Sequence, residues 1–594
     1  MKWKLVQYGC KVSKGPLYIP LILTGYLVLT ILFTYPLVAT FSTAIPGHPS
    51  GDASIFLWNL WWTKYALLNL KTNPFYTDYI FYPKGVGLTF HSLTFLNGLI
   101  SIPLQLFFGL VVAHNILTVL SFVFSAFGAY LLLNSITSGR LSSFIGGIIF
   151  AFCPYKFAHL LGHYGLVNTQ WIPFYILFLI RMTKETKTKS FDGMLAGLFL
   201  LFTAFSDQYY LVFLGIFTIL YFGYLFFTDK KVIMNFAFFK SAIVLFFVFI
   251  TGFFPILLFA LMDIVRGDYA EFPGAGGAGR YVADLLGLFT PSVLHPFLGK
   301  YAWVVARQFK GNVAEWTVFL GFTVVFFAIL AIKKFYGKDS QVRFWTLSLV
   351  VFLLFSLGPF PRILGLTIPI PMPFFPFRYI PVLNNVRVPS RFNIIVMLSC
   401  AVLFAFSSRC LFCKLRKKSL KSLAAAVLTG LISFEYLAIP FPMFNTEQPS
   451  IYAHIGGDKE AGTLLEIPLG WADGFKQLGV MEGDFMYCQT LHQKRIFGGY
   501  IGRFPDNRIE YYRSLPVIKD IIKLEEENGT QPAISVTEKE SAKTFLTSFK
   551  VRYILVRKRF FNSPVHKYIL EVFSVDKIYE DRNVIVYKTN VLFR

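Results

Sequence analysis

Gly51-Asp52-Ala53-Ser54-Ile55-Phe56-Leu57-Trp58-Asn59-Leu60-Trp61-Trp62 sets one carboxylate at a turn, after the first apolar run of the chain and before an aromatic helical stretch. An Asp behind His48-Pro49-Ser50-Gly51 stands where a helix starts, so its plainest duty is an N-cap that accepts amide hydrogens of the first turn. The other duty open to it is chemistry at a membrane surface. The rest of the chain has to choose between the two.

The chain has 594 residues, of which 55% are hydrophobic, 15% are charged and 69 are Phe, more apolar mass than one soluble core can hide. Apolar runs recur near 17–38, 93–112, 114–134, 142–156, 170–182, 192–206, 209–228, 239–262, 313–333, 344–359, 392–409 and 422–441. They predict an α-helical polytopic membrane protein of about 11–13 spans. The net charge of +24 invites a nucleic-acid reading. Much of it has a simpler cause: Lys2, Lys4, Lys11 and Lys14 precede the first run, and Lys184, Lys187 and Lys189, then Lys230 and Lys231, then Lys333, Lys334 and Lys338, then Lys414, Arg416, Lys417, Lys418 and Lys421 fill short loops, as the positive-inside bias requires of cytoplasmic ones. Alternation then puts the N-terminus in the cytoplasm and 39–92, 263–312, 360–390 and everything after about 442 outside, in the cytoplasmic membrane of a cell envelope. A cytoplasmic Lys184 loop needs an odd number of crossings after residue 92, whereas 93–182 holds four runs, so either one is re-entrant or the Arg140 loop is external. The first run has full span length and no small-residue cleavage site, so no cleavable signal is expected.

Two parts are expected: a membrane domain, 1–441, and an external α+β domain, 442–594, behind a linker at 441–462. Strand-like runs at 463–468, 551–556 and 583–587 alternate there with helix-like ones near 508–526, 538–548 and 564–573. Only Cys488 falls in this part, so no internal disulfide is expected, and the lone Cys410-x-x-Cys413 pair is weak support for zinc.

Three long external loops carry the polar residues, and long loops tend to carry function. The first holds Asp52, Trp58, Trp62, Tyr82-Pro83-Lys84-Gly85 and His91. Its Ile55, Trp58, Trp62 and Tyr65 recur at helical spacing against Ser54, Asn59, Lys64 and Asn69, the pattern of a helix lying in the headgroup layer. The second holds Asp263, Arg266, Asp268, Glu271 and Gly274 to Gly279 before Arg280, a phosphate cradle or a lid that matches no nucleotide motif. The third sets Arg378, Arg387 and Arg391 on the side the positive-inside bias disfavours, which asks for an anionic partner or a headgroup. His159 and His163 share a helical face at a metal-ligand spacing, with no local third ligand, so hydrogen bonding at the interface is the better reading and no metal is expected.

Transfer of a sugar from a lipid-linked phosphate fits these parts together. The phosphate is already a good leaving group, so one carboxylate suffices as base for the acceptor hydroxyl while Arg or Lys neutralises the departing phosphate. Gly51-Asp52 in the first loop, Tyr82-Pro83-x-Gly85 and Phe152-Cys153-Pro154-Tyr155 resemble the GT-C membrane glycosyltransferases. Arg-Val-Pro-Ser-Arg-Phe at 387–392, Gln489-Thr490-Leu491-His492 and Gly498-Gly499-Tyr500 make the likeness narrower, to the YfhO-like bacterial branch. The resemblance implies an inverting glycosyltransferase using a polyprenyl-phosphate-linked sugar donor and a glycan, lipid or protein acceptor, with Asp52 as general base. It leaves Arg387, Arg391, Arg378, Arg280 and Lys84 for the donor phosphate, and Trp58, Trp62, Tyr82, His91, His159 and His163 for substrate. No Asp-x-Asp is present, so a metal-dependent mechanism of the oligosaccharyltransferase kind is not expected, and no cofactor or nucleic acid is implied. The competing class is a transporter or flippase of a lipid-linked anion, whose mid-span ionisable candidates are Asp207, Glu315 and Glu435. A scaffold presenting the tail is a third.

Overall fold

The computed structural model describes residues 18–48, 52–184, 189–266, 278–380, 383–460, 462–503, 505–526 and 536–591. Asp268, Glu271 and most of the Gly-rich stretch, 274–277, lie outside them. Every apolar run read from the sequence is helical. Among the described residues, five helices are long and apolar enough to cross a membrane: Leu110–Thr137, Arg140–Leu160, Gln208–Thr228, Phe236–Val265 and Pro389–Lys414. Tyr18–Phe33, Phe95–Phe108, Trp171–Arg181 and Ser340–Ser356 are shorter apolar helices. Several runs depart from their expected extent, and the run from 313 departs most. The helix predicted from 313 closes after Val313–Trp316 and restarts at Phe322–Phe335, because Gly321 takes φ +92° between them and the Glu435 carboxylate accepts from the Thr323 amide at 3.0 Å, capping the second helix. Glu315 therefore sits on a short helix of its own, ahead of Phe322–Phe335.

The chain divides into two compact units. The first is 1–47, 115–253 and 273–443. At its centre Asn393–Lys414 is buried from Asn393 through Ser408, as a helix apolar on all sides must be. Gly147 lets neighbouring helices close up, since a Cβ there would meet the Ala126 carbonyl at 2.6 Å.

The second unit is 48–114, 254–272 and 444–594, so it gathers the first long loop with the tail. Its main sheet runs Arg495–Ile496, Thr463–Ile467, Val551–Arg557, Val584–Thr589, Val575–Glu580; the first three strands are parallel and the last two pair antiparallel. Each expected strand is present, and Val575–Glu580 is added as a largely exposed edge whose pattern gave no alternation to read. The expected helix 508–526 is two, Asp506–Ser514 and Pro516–Glu526, because Pro516 cannot donate the amide that would continue the first. Under the sheet the Arg557 guanidinium reaches Glu466, Glu482 and Asp484. Cys488 is a free, buried thiol.

Candidate functional site

Asp52 stands at the N-cap of the helix Ala53–Lys64, and its side chain makes no cap hydrogen bond. Its Oδ2 instead accepts from the Tyr500 hydroxyl at 3.2 Å. The ordinary duty of an Asp at a helix start is thus not the one this carboxylate performs. Tyr500 belongs to the short strand Gly499–Tyr500, which pairs in parallel with Gly470–Ala472.

The helix behind Asp52 lacks the exposed polar face that its spacing predicts over its first eleven residues. Ala53 through Thr63 are all buried. Of the residues taken for a polar outer face, two are bonded inward, the Ser54 hydroxyl donating to the Gly483 carbonyl and Asn59 to the Ser92 carbonyl at 2.9 Å, while Lys64 is half-buried and Asn69 exposed. Trp58 and Trp62 stack at 5.6 Å. The Trp58 indole donates to Gln489 Oε1 at 2.6 Å, and the Gln489 amide donates to the carbonyls of Tyr79 at 2.6 Å and Lys494 at 2.9 Å. Both indoles are buried in the core, and Trp62 also lines a cavity described below.

His91 is likewise occupied. The Gly502 amide donates to its Nδ1 at 2.9 Å, which places the proton on Nε2, where it faces Asn59 Oδ1 at 2.9 Å. Burial lowers its pKa to about 4. The ring is a neutral joint between two segments. Tyr82 serves similarly, its carbonyl accepting from the Tyr512 hydroxyl at 3.1 Å and its ring meeting Phe497 edge-on. Lys84 is exposed, with its ammonium over the Tyr511 ring at 4.7 Å.

The first unit holds a second cluster. Glu315 Oε1 accepts from Arg391 Nη2 at 2.7 Å and Nε at 3.1 Å, while Oε2 accepts from the Ser390 hydroxyl at 2.8 Å. His163 Nδ1 lies 3.6 Å from the same Oε1 and 3.1 Å from His159 Nδ1. Burial would raise the Glu315 carboxyl, but Arg391 and the two imidazoles hold it at about 2. His159, His163 and Glu315 are thus a two-histidine, one-carboxylate set whose donor atoms lie within 4.8 Å of one another, the type of set that suits zinc or manganese. Arg391 works against that use: its guanidinium occupies the carboxylate oxygen a dication would need and sets a positive charge beside it. The third partner of the histidine pair was missed in the sequence because it is 152 residues from His163 by numbering.

Arg391, expected on a donor phosphate, is therefore already paired, and its guanidinium also lies over the Tyr209 ring at 4.6 Å. Arg387 and Arg378 are half-buried and Arg280 is exposed, with the Arg280 carbonyl accepting from Arg362. Tyr500 and Gln489, absent from the expected site residues, were visible as the Gly498-Gly499-Tyr500 and Gln489-Thr490-Leu491-His492 motifs, to which the sequence attached no role.

The fold is similar to that of the arabinofuranosyltransferase AftD from mycobacteria, at TM-score 0.60 and 12% identity over 98% of this chain and 40% of that one. A mutant form of the same enzyme matches at 0.56 and 14%, over 98% and 42%. ArnT from Cupriavidus metallidurans, bound to undecaprenyl phosphate, matches at 0.48 and 8%, over 96% and 98%. The chain thus spans about two fifths of the length of AftD. The AftD likeness establishes the GT-C-like fold expected from the sequence, while the YfhO-like placement rests on short motifs alone. A search of curated proteins finds no match. The model of the DUF6311 family, a domain of unknown function, matches residues 22–434, and the chain belongs to that family.

Proposed function

We propose that the protein is a membrane glycosyltransferase that moves a sugar from a polyprenyl-phosphate-linked donor to an extracytoplasmic acceptor, with Asp52 as general base. The observation that carries this reading is a carboxylate at a helix N-terminus that makes no cap hydrogen bond and meets a tyrosine hydroxyl instead. In the step, Asp52 takes the proton of the acceptor hydroxyl, the hydroxyl oxygen bonds to the anomeric carbon, and the carbon–oxygen bond to the lipid phosphate breaks with its electron pair leaving on the phosphate. One displacement of this kind inverts the anomeric centre. Tyr500 orients the carboxylate. Arg387, Arg378, Arg280 and Lys84 are the cations proposed for the departing phosphate, with Arg391 holding Glu315. The transport reading is weaker, because Asp207 caps the helix Gln208–Thr228, Glu435 caps Phe322–Phe335 and Glu315 is paired, which leaves each of its mid-span candidates with a structural duty.

Mass spectrometry of lipids retained through purification is expected to find a polyprenyl-phosphate sugar; glycerophospholipids alone would overturn the reading. With that donor labelled, Asp52→Asn should slow transfer by about a hundredfold or more. Its stability should change by well under about 1 kcal/mol, since no cap bond is lost. Undiminished transfer by the folded variant would remove Asp52 from the mechanism.

A further inference from the structure

A cavity of about 450 Å³ opens in the second unit, within the usual range of roughly 300–1,000 Å³ for small-molecule sites. Its lining includes Trp62 from the helix that begins after Asp52, Tyr76 and Asp78 from the first loop, Asp263 and Arg266 at the end of the helix Phe236–Val265, and Arg495 from the tail. Phe75 and Phe259 close one wall, stacked at 5.6 Å.

Two carboxylates and two guanidiniums leave the lining with no net charge. Each cation is also engaged: Arg495 donates to Asp78 at 2.9 Å and lies over Tyr79 at 5.1 Å, and Arg266 lies over Tyr76 at 5.3 Å. An anion entering here would find its attraction already balanced, and so would a cation. A neutral ligand bearing many hydroxyls finds what it needs, namely carboxylate oxygens that accept, guanidinium hydrogens that donate, and aromatic surface for its C–H faces. The geometry is built for the carboxylate, since Asp263 is 2% exposed and lies so close to Gly87 that a Cβ there would meet its Oδ1 at 2.5 Å.

We propose that this cavity is a subsite for an uncharged oligosaccharide. On the reading given above, that oligosaccharide is the acceptor chain of the transfer. Ten residues of helix separate Asp52 from Trp62, about 15 Å at 1.5 Å per residue, the length of a short oligosaccharide rather than of one sugar. The cavity then grips the chain away from the end that reacts.

The test uses the full-length protein in lipid nanodiscs, because maltoside detergents carry the same class of ligand. It is applied to an array of neutral, sialylated and phosphorylated oligosaccharides. Neutral oligosaccharides are expected to be retained. Asp78→Asn should weaken that retention by about tenfold or more, as should Met262→Trp, which fills the cavity from a half-exposed position at its edge. Thermal unfolding confirms that each variant is folded, and either variant alone decides the matter if the other is not. Retention of charged glycans only, a blank array, or neutral retention untouched by a folded variant would overturn the subsite. Glycan retention that the variants weaken, beside transfer that survives Asp52→Asn, would leave the subsite standing and remove the catalytic reading; transfer that requires Asp52 beside a blank array would do the reverse.

Discussion

His91 and His492 are both held neutral by burial, at about 4 and about 3, where an unfolded chain has its imidazoles near 6.5. The folded values lie below the unfolded one, so the unfolded chain binds the protons first. The stability these rings contribute is complete above about pH 6.5 and is lost as pH falls toward 4 and then 3, by roughly 3 kcal/mol for His91 alone. Thermal midpoints recorded from pH 7 to pH 4 should fall, and should fall less in His91→Gln; an identical slope in that variant would refute the assignment. Arg391 and Glu315 make a sharper case. Arg391→Ala leaves a buried carboxylate without its cation and should cost about 3–5 kcal/mol, whereas Arg391→Met with Glu315→Gln should recover most of it. Unfolding midpoints of the two proteins decide this, and an equal loss in both would mean that the pair is not what matters. Asp52 was legible as a candidate because an acid after Gly51 marks a helix start, but that Tyr500 takes its carboxylate depends on a contact 448 residues distant, which no local pattern encodes.

Elements were legible in proportion to their length and monotony. The apolar runs are largely helical because about 20 apolar residues have few other ways to satisfy their amides in a membrane. The helix Ala53–Lys64 was legible as a helix but not as a buried one, since Ser54 and Asn59 look like an outward face until their partners Gly483 and Ser92 are known. The eight-residue helix Phe485–His492 was not anticipated; its mixed polarity gives no period, and it is fixed by contacts such as that of Gln489 with Trp58. The glycine pair beside it can be tested directly. A Cβ on Gly499 would lie 2.5 Å from Phe81 Cδ2, within the first loop, so Gly499→Ala should lower stability by about 1–3 kcal/mol. Gly474→Ala, with nothing within 4 Å of the added atom, should stay within about 0.5 kcal/mol. Unfolding followed by tryptophan fluorescence separates the two, and matched losses would show that the Phe81 approach is not the constraint.

At the scale of the molecule, the composition read correctly as membrane helices followed by an α+β part, because hydropathy and strand alternation are local signals. How far the tail depends on the first loop is not a local signal. The Phe81 amide donates to Gly498 and the Tyr82 amide to Ile496, the Ile496 amide donates to Tyr79, and Arg508 donates to the Gly85 carbonyl at 2.9 Å, so the hairpin region of the loop supplies backbone partners to the tail. Trp58, Trp62 and Tyr79 lie in the same core as Gln489. Residues 444–594 expressed alone would leave those backbone groups to water and expose the apolar surfaces that Trp58, Phe81 and Tyr82 cover. Such a fragment should keep strand and helix signals in the far ultraviolet, lose near-ultraviolet aromatic signals and bind a hydrophobic dye, the behaviour of a loosely packed state. Joining 52–108 to the fragment through a flexible linker should restore sharp unfolding. A cooperative, dye-silent 444–594 fragment would show instead that the tail is a domain in its own right and that the loop merely rests on it.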